Sequence, residues 1–130
     1  MNDQRQYLKE KDSVLSQIID KTEIVLHENR TSIFEDLCSC ILDMQIHHRG
    51  LAVRYKRLKE RIQHSEITPE IIFQLSAEDL KYINMSAQKM NALSALANFW
   101  IEHKANEMDW NTMTDDEIRV FLKSIKGIGD

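Results

Sequence analysis

The chain is short of the residues that interrupt regular structure: 130 residues hold three glycines and one proline. Few breakers favour helices joined by short turns. Cysteine is scarce too. Cys38 and Cys40 lie two apart, which on a helix puts them on nearly opposite sides, so they neither pair nor share a metal. The expectation is of buried, reduced thiols in a cytosolic protein. No apolar run approaches the roughly 20 residues of a membrane span. Met1-Asn2-Asp3-Gln4-Arg5 is polar and lacks a signal-peptide core. Positive charge is not in excess: 17 Lys and Arg face 21 Asp and Glu, for a formal net charge of −4. A nucleic-acid function must therefore rest on local clustering. A nucleotide-binding glycine loop, a zinc motif and a nucleophile elbow are absent. Asp115, Asp116 and Glu117 form no catalytic pair, since a helix start and its dipole account for them.

What the chain has is a series of helix starts. Ser32-Ile33-Phe34-Glu35 and Thr114-Asp115-Asp116-Glu117 read as capping boxes. Thr68-Pro69 places a cap residue before proline at the first helical position. Ser76 and Ser86 read as further N-caps. Four apolar stripes recur at three- and four-residue spacing: Phe34/Leu37/Cys38/Ile41/Leu42, Leu51/Tyr55/Leu58/Ile62, Met90/Leu93/Ala97/Trp100 and Ile118/Phe121/Leu122/Ile125. That is the signature of amphipathic helices on a shared core. Glu23-Ile24-Val25-Leu26-His27 is the one strand-like run, and it also fits an extended connector. The expectation is an all-α fold of seven or eight helices, a single helical domain over 1–130 with a modest core.

Some segments could carry chemistry. Gly127-Ile128-Gly129 fits two readings. One is a turn whose free amides bind a phosphate oxygen, with Ile128 plugged into Ile125 and Leu122; the other is a glycine helix stop before an unrelated tail. The stretch from Arg49 to Arg61 is basic, and Arg54, Arg57 and Arg61 share one face. That face suits phosphates or plain solvent. His47 and His48 are adjacent, so they do not converge on one metal; no side-chain metal site is expected. Trp100 and Trp110 read as core or rim aromatics.

In combination these segments resemble the helix-hairpin-helix DNA glycosylases, most of all the DNA-3-methyladenine glycosylase II branch. Tyr7-Leu8 with Asp12-Ser13-Val14-Leu15 is similar to that branch's Tyr-Leu…Asp-x-x-Leu opening. Phe34 to Ile46 resembles its helix ending in Gln-Gln-Leu/Ile-Ser, and Ile67-Thr68-Pro69-Glu70 its Ile-Thr-Pro-Glu linker. Asn84 to Lys89 resembles a Gly-Leu-Ser-x-x-Lys helix start, and Ile125-Lys126-Gly127-Ile128-Gly129 an Ile-Lys-Gly-Ile-Gly hairpin. The chain departs from the pattern at Met44 (glutamine in the family), His47 (serine) and Asp130 (proline).

The resemblance implies a multi-helix, bundle-like part of the glycosylase fold and hydrolysis of the N-glycosidic bond of alkylated purines such as 3-methyladenine. The partner is double-stranded DNA with damaged bases. The implied DNA-binding residues are Lys126, Gly127, Ile128 and Gly129 of the hairpin, and Gln45, Ile46, His47, His48 and Arg49 around a wedge turn led by Gln45. No organic cofactor is implied, but a monovalent cation on hairpin carbonyls is. The catalytic aspartate is expected beyond Asp130, so the chain reads as the N-terminal portion of a larger enzyme and as inactive alone. Its location would be the cytoplasm, at the nucleoid, in a bacterium and the nucleus in a eukaryote. Without later helices, the Ile118/Phe121/Leu122/Ile125 stripe is expected to be bare and to drive homo-oligomerisation. A different reading is a non-enzymatic helical module that binds DNA or protein.

Overall fold

Short polar side chains that accept from first-turn amides set where the helices begin. The structure, a computed structural model, describes residues 2–23, 31–44 and 48–129, and only the backbone at 2, 48, 49 and 51. The chain gathers into two compact units, Met1–Arg30 and Thr31–Asp130. The described residues are helical, with no strand among them. The strand-like run falls outside them from Ile24 onward. No described helix is long and apolar enough to cross a membrane.

The first unit holds α1 (Asn2–Lys11) and α2 (Ser13–Lys21). Asp12 separates them, and its carboxylate accepts from the amides of Val14 at 2.8 Å and Leu15 at 3.1 Å. Arg5 donates to the carbonyls of Ile19 and Thr22, at 2.9 and 3.1 Å. A guanidinium thus sits at the negative end of α2, where the helix dipole favours it.

The second unit holds α3 (Ile33–Asp43), α4 (His48–Arg61), α5 (Pro69–Gln74), α6 (Ala77–Ile83), α7 (Ala87–Glu102) and α8 (Asp115–Lys123). Two 3-10 turns, Ala105–Glu107 and Trp110–Thr112, join α7 to α8. The core draws Phe34, Cys38, Ile41 and Leu42 from α3, Leu58 from α4 and Ile72 from α5. Leu93, Leu96, Ala97 and Trp100 of α7 complete its centre. The predicted caps form at Thr68, Ser76, Ser86 and Thr114. Thr114 and Glu117 make the full reciprocal box, as do Ser76 and Asp79. Asn84 ends α6 at φ 60°, with its amide on Leu80 and Lys81 carbonyls and that of Met85 on Leu80. This left-handed stop suits glycine first and asparagine next, which explains asparagine where the family pattern has glycine.

The box expected at Ser32 forms only in half. Ser32 Oγ accepts from the Glu35 amide at 3.2 Å, but the Glu35 carboxylate turns inward and the residue is buried. There it takes the Tyr55 hydroxyl at 2.5 Å, the Ile67 amide at 3.0 Å and the Lys59 ammonium at 2.5 Å. Burial alone would raise its pKa, but the hydrogen bonds of Lys59, Tyr55 and Ile67, with the Lys59 charge, hold it below the ordinary value. The same burial and the Glu35 contact push the Tyr55 phenol up.

Two further expectations change. Cys38 is buried, but Cys40 is exposed, because positions two apart on α3 face opposite ways. The α8 stripe is covered in part. Ile125 is buried, and Phe121 meets Phe99 of α7 at 4.7 Å and Trp110 at 5.6 Å, both edge-on. Ile118 and Leu122 stay half-buried and line a shallow groove with Ile128. Trp100 and Trp110 are stacked, with centroids 5.3 Å apart and planes 11° from parallel. Their indole N–H groups donate to Asn106 Oδ1 at 2.7 Å and the Ala105 carbonyl at 3.2 Å. Both tryptophans are structural.

Candidate functional site

The hairpin follows directly from α8. Ile125 and Ile128 donate their amides to the carbonyls of Leu122 and Ile125, each at 3.1 Å. Ile128 packs against the core as expected, while Lys126 and Gly129 are exposed. Gly127 has φ +93°, and a Cβ there would lie 3.3 Å from that of Ala92. A side chain would be strained and crowded at once, so glycine lets the turn lie against α7. Gly129 has open space around it.

A cleft of about 750 Å³ opens where the hairpin, α7 and the end of α3 meet. Ile41 and Met44 line it from α3, and Lys126 and Gly127 from the hairpin. The α7 wall presents Gln88, Asn91 and Asn98 beside Ser94, Ala92 and Ala95. Small residues keep that wall shallow, and the amides offer both donors and acceptors. Lys89 also lines the cleft and donates to the Leu42 carbonyl at 2.6 Å. Its pKa is lowered by burial and by the neighbouring Arg54 charge, with Asp43 acting the other way.

The structure brings together Lys126, Gly127 and the end of α3. Gln45, Ile46 and His47 lie outside the described residues, as does Asp130. His48 and Arg49 open α4, with side chains outside the description. The arginines of the basic face of α4 each have a partner within the chain. Arg54 donates to the Asn84 carbonyl at 3.1 Å and Arg57 to that of Tyr82 at 3.3 Å. Arg61 lies 4.2 Å over the Tyr82 ring and 3.5 Å from Asp79. The carbonyls at the end of α6 lack helical partners, and Arg54 and Arg57 take two of them. The α7 wall was missed in sequence, although Gln88, Asn91, Ala95 and Asn98 recur at helical spacing. Its signal is a row of short polar and small residues beside an apolar stripe.

No family model and no curated protein sequence matches the chain. Solved structures do. A DNA-3-methyladenine glycosidase from Bacillus halodurans superposes with a TM-score of 0.71 at 23% identity, over 92% of this chain and 55% of that one. The Schizosaccharomyces pombe 3-methyladenine DNA glycosylase Mag1, in complex with abasic DNA, gives 0.72 at 20% identity, over 91% of this chain and 60% of that one. The chain thus spans less than two thirds of either protein. Over nine-tenths of its length it shares its all-α fold with part of each of these two proteins.

Proposed function

We propose that the protein serves DNA base-excision repair, releasing alkylated purines such as 3-methyladenine from duplex DNA. The observation that carries this reading is the fold shared with a glycosylase whose structure holds abasic DNA, combined with a cleft bounded by the Gly127 hairpin and the end of α3. Such enzymes flip the target base out of the stack and hold it in a pocket. On this reading the 44–48 turn, led by Gln45, fills the gap left in the duplex through the minor groove. The hairpin amides take a backbone phosphate, with Lys126 beside them, and the hairpin carbonyls would hold a monovalent cation. The carboxylate that stabilises the developing positive charge on the sugar is assigned to no residue among 1–130. The nucleoid or the nucleus is then where the protein works.

Fluorescence anisotropy with two duplexes, one intact and one with an abasic-site analogue, tests the reading. Preference for the abasic duplex supports it, with binding that weakens steeply as salt rises. Equal affinity for both, or none for either, overturns it in favour of a non-enzymatic helical module. Release of methylated base by this chain at a rate comparable to a known glycosylase would refute an aspartate placed elsewhere.

A further inference from the structure

Lys89 is badly placed for its own helix. It stands in the first turn of α7, three residues after the Ser86 cap, where the dipole opposes a cation. It is half-buried with Arg54 near enough to disfavour its charge. Neither circumstance favours lysine, so the reason lies across the contact. There Nζ meets the Leu42 carbonyl at 2.6 Å, 47 residues away. That carbonyl lies at the end of α3, past the point where helical amides remain to pair with it. The next residues are Asp43, which ends the helix, and Met44, whose amide still bonds to Cys40 at 3.2 Å. One ammonium therefore ties the tail of α3 to the head of α7, at the rim of the cleft.

We propose that Lys89 is a positioning residue: by holding the Leu42 carbonyl it fixes the direction in which the chain leaves α3 at Met44, on the wall of the cleft. The inference rests on the DNA reading above, and adds a residue that acts through the end of α3 and not by touching the DNA. A charge-assisted hydrogen bond to a helix end combines two favourable effects, since the carbonyls there carry partial negative charge. Lys126 lies in the same cleft but is exposed. The two lysines should behave differently when neutralised.

The test uses Lys89→Met and Lys89→Arg with two readouts. Hydrogen exchange at the Met44 amide reports the last turn of α3 without DNA. Anisotropy over a salt series reports affinity for abasic and intact duplexes. For Lys89→Met we expect exchange at Met44, and loss of abasic preference, of about tenfold each, as for one charged hydrogen bond. Affinity for the intact duplex falls less than that for the abasic one, with a salt slope changed by less than about one, and Lys89→Arg restores most of both effects. If Lys89→Met loses helicity, Lys89→Gln, which keeps a donor, replaces it. Unchanged exchange overturns the proposal, and so does faster exchange with full abasic preference. Equal loss on both duplexes with a salt slope smaller by about one means a direct phosphate contact, and overturns it too. A parent chain without abasic preference, but with exchange that still responds to Lys89→Met, refutes the DNA reading. The tie is then structural, and the positioning role falls with that reading.

Discussion

Glu35 and Lys59 meet at 2.5 Å with the carboxylate side chain 3% exposed and the lysine 18%. Removing one member of a buried, hydrogen-bonded pair strands the other. We therefore expect Glu35→Ala to destabilise the fold by about 3–5 kcal/mol. Tyr55→Phe removes one hydrogen bond to the same carboxylate and should cost about 1–2 kcal/mol. Urea unfolding followed by circular dichroism gives both values, and a loss below that of Tyr55→Phe in Glu35→Ala would contradict the arrangement.

The same carboxylate makes stability depend on pH. Its pKa in the folded chain lies below the ordinary 4.5. A depressed carboxylate pKa contributes stability that is fully present above the unfolded value and is lost as pH falls through the folded one. The unfolding midpoint should therefore drop on acidification below 4.5, and drop less steeply in Glu35→Gln. Parallel pH profiles for the two proteins would show that other groups carry the acid sensitivity.

The two hairpin glycines should respond unequally to alanine. Gly127→Ala forces an L side chain into φ +93° and against Ala92, at a cost of about 1–2 kcal/mol. Gly129→Ala meets nothing within 4 Å and should change stability by under about 0.5 kcal/mol. Thermal melting of both variants is the measurement. A larger effect at Gly129 would reverse our assignment of the tight position.

Thiol chemistry should separate the cysteines. Cys40 is exposed, while burial first, then the Glu35 and Cys40 charges, push the Cys38 thiol up. A maleimide should modify Cys40 alone in the native chain, and Cys38 only after denaturant is added. Peptide mapping decides, and prompt native labelling of Cys38 would place it outside the core.

The helix starts were legible because capping is local: Thr68, Ser76, Ser86 and Thr114 act on amides within three residues. The core stripes were legible because helical periodicity is local too. What stayed hidden was long-range. Glu35 reads as a capping partner for Ser32, yet its partners lie 20 to 32 residues on, at Tyr55 and Ile67. Arg54 and Arg57 read as a free basic face, yet carbonyls 30 and 25 residues away claim them. In the site, Gly127 could be seen as a turn, but not Ala92 beneath it. The cleft has no linear signature, since three separate segments make it.

The stacked tryptophans have an optical consequence. The chain has two tryptophans, and both belong to one pair with rings 11° from parallel at 5.3 Å. Indole dichroism and indole emission, read at wavelengths where tyrosine is silent, therefore both report a single spot, the seam between α7 and the 105–112 segment. That seam also carries Phe121 of α8. Light from the indoles is thus a built-in gauge of whether the arm bearing the hairpin is docked.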